Sequence, residues 1–300
     1  MITWPTITTR FYMPLPVAKR RRKDEDGVDT ITNGWYIEKK EIMSSKTFGI
    51  ISDVHGNIAA LKTAISILEE RDNIDQLLWL GDYFSLGPAP REVLDVMLKY
   101  KDSIILRGNH ERYLKERIWE HEAPTIEGMS PDDPVCQGIV QHQQWTYEQI
   151  GKEGIDFIDE MRISHRDSFE TFLLEFTHAW YERDEQPPSL AEAITWRNHV
   201  KQQYPAIKQF LFIHGHIHIP RAEENGNIKV LCPVSTGLPF DGLTKGAVAF
   251  LTLGSELQWE VHRFDYDLDA TLDLLEERKP PFYRNLQNTV RYAEIRNEFV

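Results

Sequence analysis

The residues of this chain best able to do chemistry lie in five short fragments: Asp53-Val54-His55, Gly81-Asp82, Gly108-Asn109-His110-Glu111, Thr177-His178 and Gly215-His216-Ile217-His218. Each stands at the end of a predicted strand. Carboxylate, imidazole and amide oxygen donors of this mixture suit two divalent ions about 3.5–4 Å apart with a water activated between them. The chemistry expected of that site is hydrolysis of a phosphate ester.

Asp53 and His55 are two residues apart, so an extended backbone would throw both side chains to one side, where a single ion engages both. Taken alone, Asp-x-His is more often a turn than a ligand pair, and its weight comes from the other fragments. Asp82 follows Gly81 and a buried strand, and a carboxylate can serve two ions with its two oxygens. Asn109 offers a neutral amide oxygen, whereas its neighbour His110 diverges from it and can face the substrate. His178 alone would more often be an ordinary histidine; its place after an apolar strand raises it. In Gly215-His216-Ile217-His218 alternate histidines point to one side and the glycine permits close approach, so one imidazole can be offered to each ion. His214 lies further back in its strand and reads as structural.

Positioning these fragments calls for a regular scaffold, which begins at Thr47. Phe48 to Ser52 reads as a buried strand, followed by a helix through Ile58, Leu61, Ile65 and Leu68. A second unit runs from Gln76 to Leu80 and on to a helix with Val93, Val96 and Met97, and a third strand spans Ser103 to Leu106. Alternating strands and helices imply a mainly parallel sheet, with ligands bound beyond the carboxyl ends of its strands. Residues 111–170 are richer in helix and charge and read as a helical cap, whose Trp119, Trp145 and Tyr147 are expected to pack on the sheet. Strands Phe172 to Phe176 and Gln209 to Ile213 lead to His178 and to the histidine loop, with a helix from Leu190 to Gln202 between them. Asn225-Gly226 marks a hairpin, and Ala247 to Leu253 and Gln258 to Phe264 read as further antiparallel strands. Two sheets packed face to face with helices outside are expected, closed by an amphipathic helix through Leu268, Leu272 and Leu275 that breaks at Pro280-Pro281.

At 300 residues and 41% hydrophobic composition the chain can bury a full core. A net charge of −13 argues against nonspecific binding to nucleic acid. Cys136 and Cys232 lack CxxC spacing and fit a reducing cytoplasm, and no apolar run reaches the length of about 20 residues that spans a bilayer. Residues 1–45, with the basic run Lys19 to Lys23, read as a solvated extension, and Met43 is a candidate start.

The five fragments resemble the pattern D-x-H, G-D, G-N-H-[DE], H and G-H-x-H of the calcineurin-like metallophosphoesterase superfamily. The likeness covers about residues 47–280. Asp53-Val54-His55-Gly56-Asn57, the run Gly81 to Pro88 with Glu92-Val93 after it, and Pro233-Val234-Ser235-Thr236-Gly237 are similar to its bacterial and archaeal phosphodiesterase-like group. The resemblance implies an α/β fold, a four-layer α/β/β/α sandwich of two mixed sheets with a helical cap insertion at about 111–170. The metallophosphoesterase domain would then span 46–280, between extensions at 1–45 and 281–300. It further implies one ion held by Asp53, His55, Asp82 and His218, and another by Asp82, Asn109, His178 and His216. The ions would be manganese, iron or zinc. A metal-bridging hydroxide would attack phosphorus in line, and His110 would stabilise or protonate the leaving oxygen. The implied partner is a phosphorylated small molecule or nucleotide, with no membrane.

Two departures bear on the substrate. Ser85-Leu86 replaces the Asp-Arg of the serine/threonine phosphatases, which makes a phosphoprotein substrate less expected. Phe240 stands where the group carries an arginine, and Lys245, Arg107 or Arg112 could supply that cation instead. A protein phosphatase, a dinucleotide hydrolase and a noncatalytic scaffold of the retromer type remain alternatives.

Overall fold

A computed structural model describes residues 44–120 and 130–297, together with the backbone of two short strands nearer the amino terminus. Those strands, β1 (Arg22–Lys23) and β2 (Asp29–Thr30), pair antiparallel within a unit of their own spanning residues 1–42. The remaining expectations for the first 43 residues, including a start at Met43, lie outside the described residues.

The larger unit is built on two mixed five-stranded sheets. In chain order the elements of its first part are β3 (Lys46–Ile51), α1 (Ile58–Glu70), β4 (Gln76–Trp79), α2 (Pro90–Met97), β5 (Ile104–Ile105), α3 (Asn109–Glu116) and α4 (Pro134–Asp159). There follow β6 (Ser164–Phe169), β7 (Phe172–Thr177), α5 (Leu190–Gln203), β8 (Gln209–Ile213), β9 (Arg221–Asn225) and β10 (Ile228–Cys232). The chain then returns through β11 (Gly246–Leu253) and β12 (Leu257–Phe264) to α6 (Leu268–Arg278) and α7 (Tyr283–Tyr292). One sheet has the order β12-β11-β3-β4-β5 and the other β6-β7-β8-β10-β9. The pairs β3–β4, β4–β5, β7–β8 and β8–β10 are parallel, and β12–β11, β11–β3, β6–β7 and β10–β9 are antiparallel.

The pleat explains why both sheets are covered on both faces. Successive residues of a strand face opposite sides, and here both sides are apolar. Phe48, Ile50, Leu78 and Leu80 of one sheet meet Leu174, Phe176, Leu211 and Ile213 of the other in the central core. The alternate residues Ile51, Trp79, Val248 and Phe250 turn outward to α1, α2 and α4, while Leu173, Phe210, Phe212 and Val230 turn to α5. Helices therefore cover the outer face of each sheet, as expected for the sandwich. Asn57 ties three elements together: its Oδ1 accepts from Ala60 N at the start of α1 and from Thr271 Oγ1 of α6, and its Nδ2 donates to Gly237 O.

Two segments differ from the sequence reading. The stretch 111–170 holds α3 and α4 but closes with β6, an edge strand of the second sheet. Its Arg166 and Asp167 and its partly exposed face hid the strand pattern. Beyond Pro280-Pro281, α7 buries Leu286 and Val290 against Leu275 and Leu238, so the end of the chain packs onto the domain through Tyr292. No helix among the described residues is long and apolar enough to cross a membrane. Phe48, fully buried and 5.3 Å from the Phe176 ring, anchors the space between the sheets. Phe48→Ala is expected to lower stability by about 3–5 kcal/mol, read as a lower urea midpoint with an unchanged m-value.

Candidate metal centre

Asp53, Asp82 and Asn109 follow β3, β4 and β5, neighbours in one sheet, whereas His178 and His216 follow β7 and β8, neighbours in the other. All of these strand ends open on one rim. There Asp53, His55, Asp82 and His218 each bring a donor atom within 4.8 Å of the others, and Asp82, His178 and His216 form a second such group. Asp82 belongs to both. Asn109 Oδ1 lies 2.9 Å from His178 Nε2 and 3.1 Å from His216 Nδ1, which adds it to the second group. The structure thus brings together all seven residues expected as ligands.

Hydrogen bonds at the back of each ring decide which nitrogen faces inward. His55 Nδ1 donates to Ser85 O at 2.8 Å, His218 Nδ1 to Leu238 O at 2.5 Å and His178 Nδ1 to Leu80 O at 2.8 Å. His216 is turned over, with Nε2 donating to Glu185 O at 3.1 Å. A neutral imidazole protonated on one nitrogen carries a lone pair on the other. Bare nitrogens of His55 and His218 therefore face each other at 3.1 Å. Asp82 Oδ2 stands 3.2 Å from His178 Nε2, and Asp53 Oδ1 stands 3.4 Å from His218 Nε2. Acceptors this close repel unless a proton, as between Asp82 and His178, or a metal cation lies among them, and roughly 3–3.5 Å is the spacing of donors that share an ion about 2.0–2.2 Å away. The donor set fits divalent metal.

The backbone reaches this arrangement differently from the extended geometry expected at Asp53-x-His55 and His216-x-His218. Asp53, His55, Asp82, His216 and His218 all have positive φ, from 47° to 72°. The paired side chains converge because the chain turns left-handed at each ligand, and strand alternation plays no part. Such conformations cost about 1–3 kcal/mol each and persist only where the surroundings over-determine them. Those surroundings are visible. Glu111, fully buried, accepts from Asp82 N, Tyr83 N and Gly108 N at 2.8–3.0 Å. Ser235 Oγ donates to Asp53 O at 2.6 Å, and Gly237 N donates to the same oxygen. Gly108 is required for close approach, since a Cβ there would stand 2.0 Å from Asp82 Oδ1.

Electrostatics reinforce the geometry. Burial opposes ionisation of Asp82, yet His178, His110 and His55 together hold its carboxyl well below the usual range. Burial also opposes charge on His178, but Asp82 and Asp53 outweigh it and push this imidazole up to about 10 in the metal-free centre. His55 moves the other way, down to about 4, through burial and then repulsion by His218. Burial holds His110 down at about 3.

His110 sits beside the centre, its ring 5.2 Å from that of His55, with its amide bonded to Asp82 Oδ1. His214 is buried behind the loop, where Nδ1 bonds to Gly215 O. Phe240 stacks on His218 at 4.2 Å and 18°. Of the cations suggested in place of an arginine there, Arg112 is committed to Asp184, Glu185 and Glu116, and Lys245 to Asp265. Trp119 packs edge-on against Tyr147, and Trp145 against His142. Sequence reasoning missed Gln143 of α4, whose side chain reaches His110 and Ser85. Only the placement of α4 against that loop reveals it. Glu111 was visible as the acidic end of its fragment, without its bracing role.

Residues 46–229 match the calcineurin-like phosphoesterase family. An uncharacterized protein of Methanocaldococcus jannaschii is 21% identical over 254 residues, which cover 80% of this chain and 96% of that protein. The fold is similar to that of a metallophosphoesterase from Sphaerobacter thermophilus, at a TM-score of 0.58 and 20% identity over 83% of this chain and 100% of the other. It is also similar to a hypothetical protein from Pyrococcus horikoshii, at a TM-score of 0.65 and 17% identity over 83% and 99% of the two chains. With the family match extending over more than half of its length, and the family's donors gathered at one rim, the chain belongs to the calcineurin-like phosphoesterases.

Proposed function

We propose that this chain hydrolyses a phosphodiester or phosphomonoester of a small molecule or nucleotide at a pair of divalent ions. The observation that carries this reading is the convergence of nitrogen and oxygen donors in two overlapping groups that share Asp82. Asp53, His55, Asp82 and His218 would hold one ion, and Asp82, Asn109, His178 and His216 the other. Manganese, iron and zinc all suit this mixture of nitrogen and oxygen ligands. Ions bound there supply Lewis-acid stabilisation of phosphoryl oxygens and lower the pKa of water.

The chain's own residues do the rest. The carbonyls of Ser85, Leu80, Leu238 and Glu185 keep four imidazoles turned with their lone pairs inward. Glu111 holds the Asp82 turn, and His110 stands beside the centre to meet the leaving oxygen. Buried cysteines without a disulfide suit a reducing cytoplasm as the place of action. The intact donor set speaks against a purely noncatalytic scaffold, and the absence of an arginine after Ser85 speaks against a phosphoprotein substrate.

Metal-stripped protein refilled separately with manganese, iron, zinc or magnesium should hydrolyse bis-p-nitrophenyl phosphate or p-nitrophenyl phosphate, and full turnover by the stripped protein would refute the reading. His110→Ala is expected to lower turnover by about 10²–10⁴-fold while two metals stay bound, measured by steady-state kinetics beside elemental analysis. Because His178 holds a proton up to about pH 10 in the metal-free centre, filling the second position releases that proton. Metal affinity should therefore climb by up to about tenfold per pH unit between pH 6.5 and 8.5. Calorimetry in buffers of different ionisation enthalpy checks this, and binding heats independent of the buffer would contradict it.

A further inference from the structure

We infer that Arg112 of α3, acting with Tyr113, is the positioning residue for His216: it fixes the loop carbonyl on which that imidazole leans, and so sets the affinity of the second ion. This rests on the two-ion reading of the centre and names the part of the chain on which the second position depends.

Four carbonyls hold the four imidazoles of the centre, and three of them belong to buried residues, Leu80, Ser85 and Leu238. The fourth, Glu185 O at 3.1 Å from His216 Nε2, belongs to the loop between β7 and α5, in which Glu182, Arg183, Gln186 and Pro187 are exposed. His216 is also the least buried of the seven donors. A surface carbonyl orients a ring only if something holds its loop, and here α3 does. Arg112 grips Asp184 with a fork, Nε to Oδ2 at 2.8 Å and Nη2 to Oδ1 at 2.9 Å, and its Nη2 also donates to Glu185 Oε1 at 2.8 Å. Tyr113 Oη donates to the same Glu185 oxygen at 2.6 Å. Asp184 is buried, and the planar two-bond geometry fixes direction as well as distance. Within the loop Trp180 N donates to Gln186 O and Gln186 N to Arg183 O, which makes the segment one compact turn that moves with its anchors. At its far end Arg221 Nη1 donates to Pro188 O at 2.5 Å.

The clamp and a metal donor sit on one helix. Asn109 opens α3 and Arg112 lies three residues on, about one turn away on the same side. Asn109 Oδ1 stands 3.1 Å from His216 Nδ1, so α3 meets His216 from both sides, directly at the metal edge and through Arg112 and Glu185 at the back. A carbonyl only accepts, so the contact at the back holds whether or not the ring's other nitrogen carries a proton. The first ion's own donors are held by other groups: Ser235 Oγ bonds to Asp53 O, Ser85 O to His55 and Leu238 O to His218. Loosening the clamp therefore frees one donor of the second ion and leaves those three in place.

Manganese titration followed by electron paramagnetic resonance reads the two positions separately, because a lone ion shows resolved hyperfine lines and a filled pair shows the broad spectrum of coupled spins. Combining Arg112→Met with Asp184→Asn removes the ion pair without stranding a buried acid and leaves the net charge unchanged. In that double variant the second ion should bind about 10–100-fold more weakly, the scale of lost support behind a metal ligand, while the first binds as in wild type. Tyr113→Phe, which removes one hydroxyl, should weaken the second ion in the same direction by less. Unchanged affinity for the second ion in the double variant would overturn the inference, as would an equal loss at both positions, the mark of a merely structural change. If wild type never showed the coupled spectrum, the two-ion reading would fail instead. Hydrogen exchange in the metal-free protein would then still decide the clamp: the Trp180 and Gln186 amides should lose about tenfold of their protection in the double variant, and unchanged protection would refute it.

Discussion

The rim depends on keeping two buried carboxylates ionised without a lysine or arginine beside them. Asp53 is fully buried and Asp82 nearly so, and among the described residues neither forms an ion pair with lysine or arginine. Burying a charge is expensive unless it is paired. Here the compensation comes from backbone and hydroxyl donors and from imidazoles whose protons are easily exchanged for metal. A guanidinium at the same place would have stabilised the fold and closed the site. Arg112 and Arg263 occur close by in the fold and are spent on other acids, Asp184 and Asp241.

That constraint explains the layout of the scaffold. Two sheets contribute separate donors to a shared centre, so the central core must fix the separation of β3 and β4 from β7 and β8. Close packing of aromatic and branched side chains does so. The turns that follow these strands are then free to adopt left-handed backbone, because Glu111, Ser235 and Gly237 restrain them with hydrogen bonds. Strain at the ligands and rigidity behind them are two sides of one design.

Much of this was legible in the sequence because it follows local period. Apolar runs gave the parallel strands, Asn225-Gly226 gave the β9–β10 hairpin, and the helix over 190–202 is found as Leu190–Gln203. The seven donors stood out because their types recur at strand ends. The left-handed turns did not, since Asp and His adopt positive φ more often than most residues but far more often stay at negative φ, so residue type alone does not mark them. Edge strand β6 was concealed by its charges, and α7 by the prolines before it. Gln143 was invisible for a different reason: its partner His110 lies 33 residues earlier, and nothing in either local pattern links the two.

One irregularity in α4 has a further meaning. At Gly151 the backbone takes φ 58° and ψ −163°, so the element is two helices joined through one residue. The later piece inserts Phe157 and Ile158 into the outer core, whereas the earlier piece presents His142 and Gln143 to the loop beside the centre. A single straight rod would have made the tilt of one piece dictate that of the other. The break uncouples the two: the outer core sets the later half, while the angle of residues 134–149 is set where they meet the loop, by His142 against Leu86 and Gln143 against Ser85.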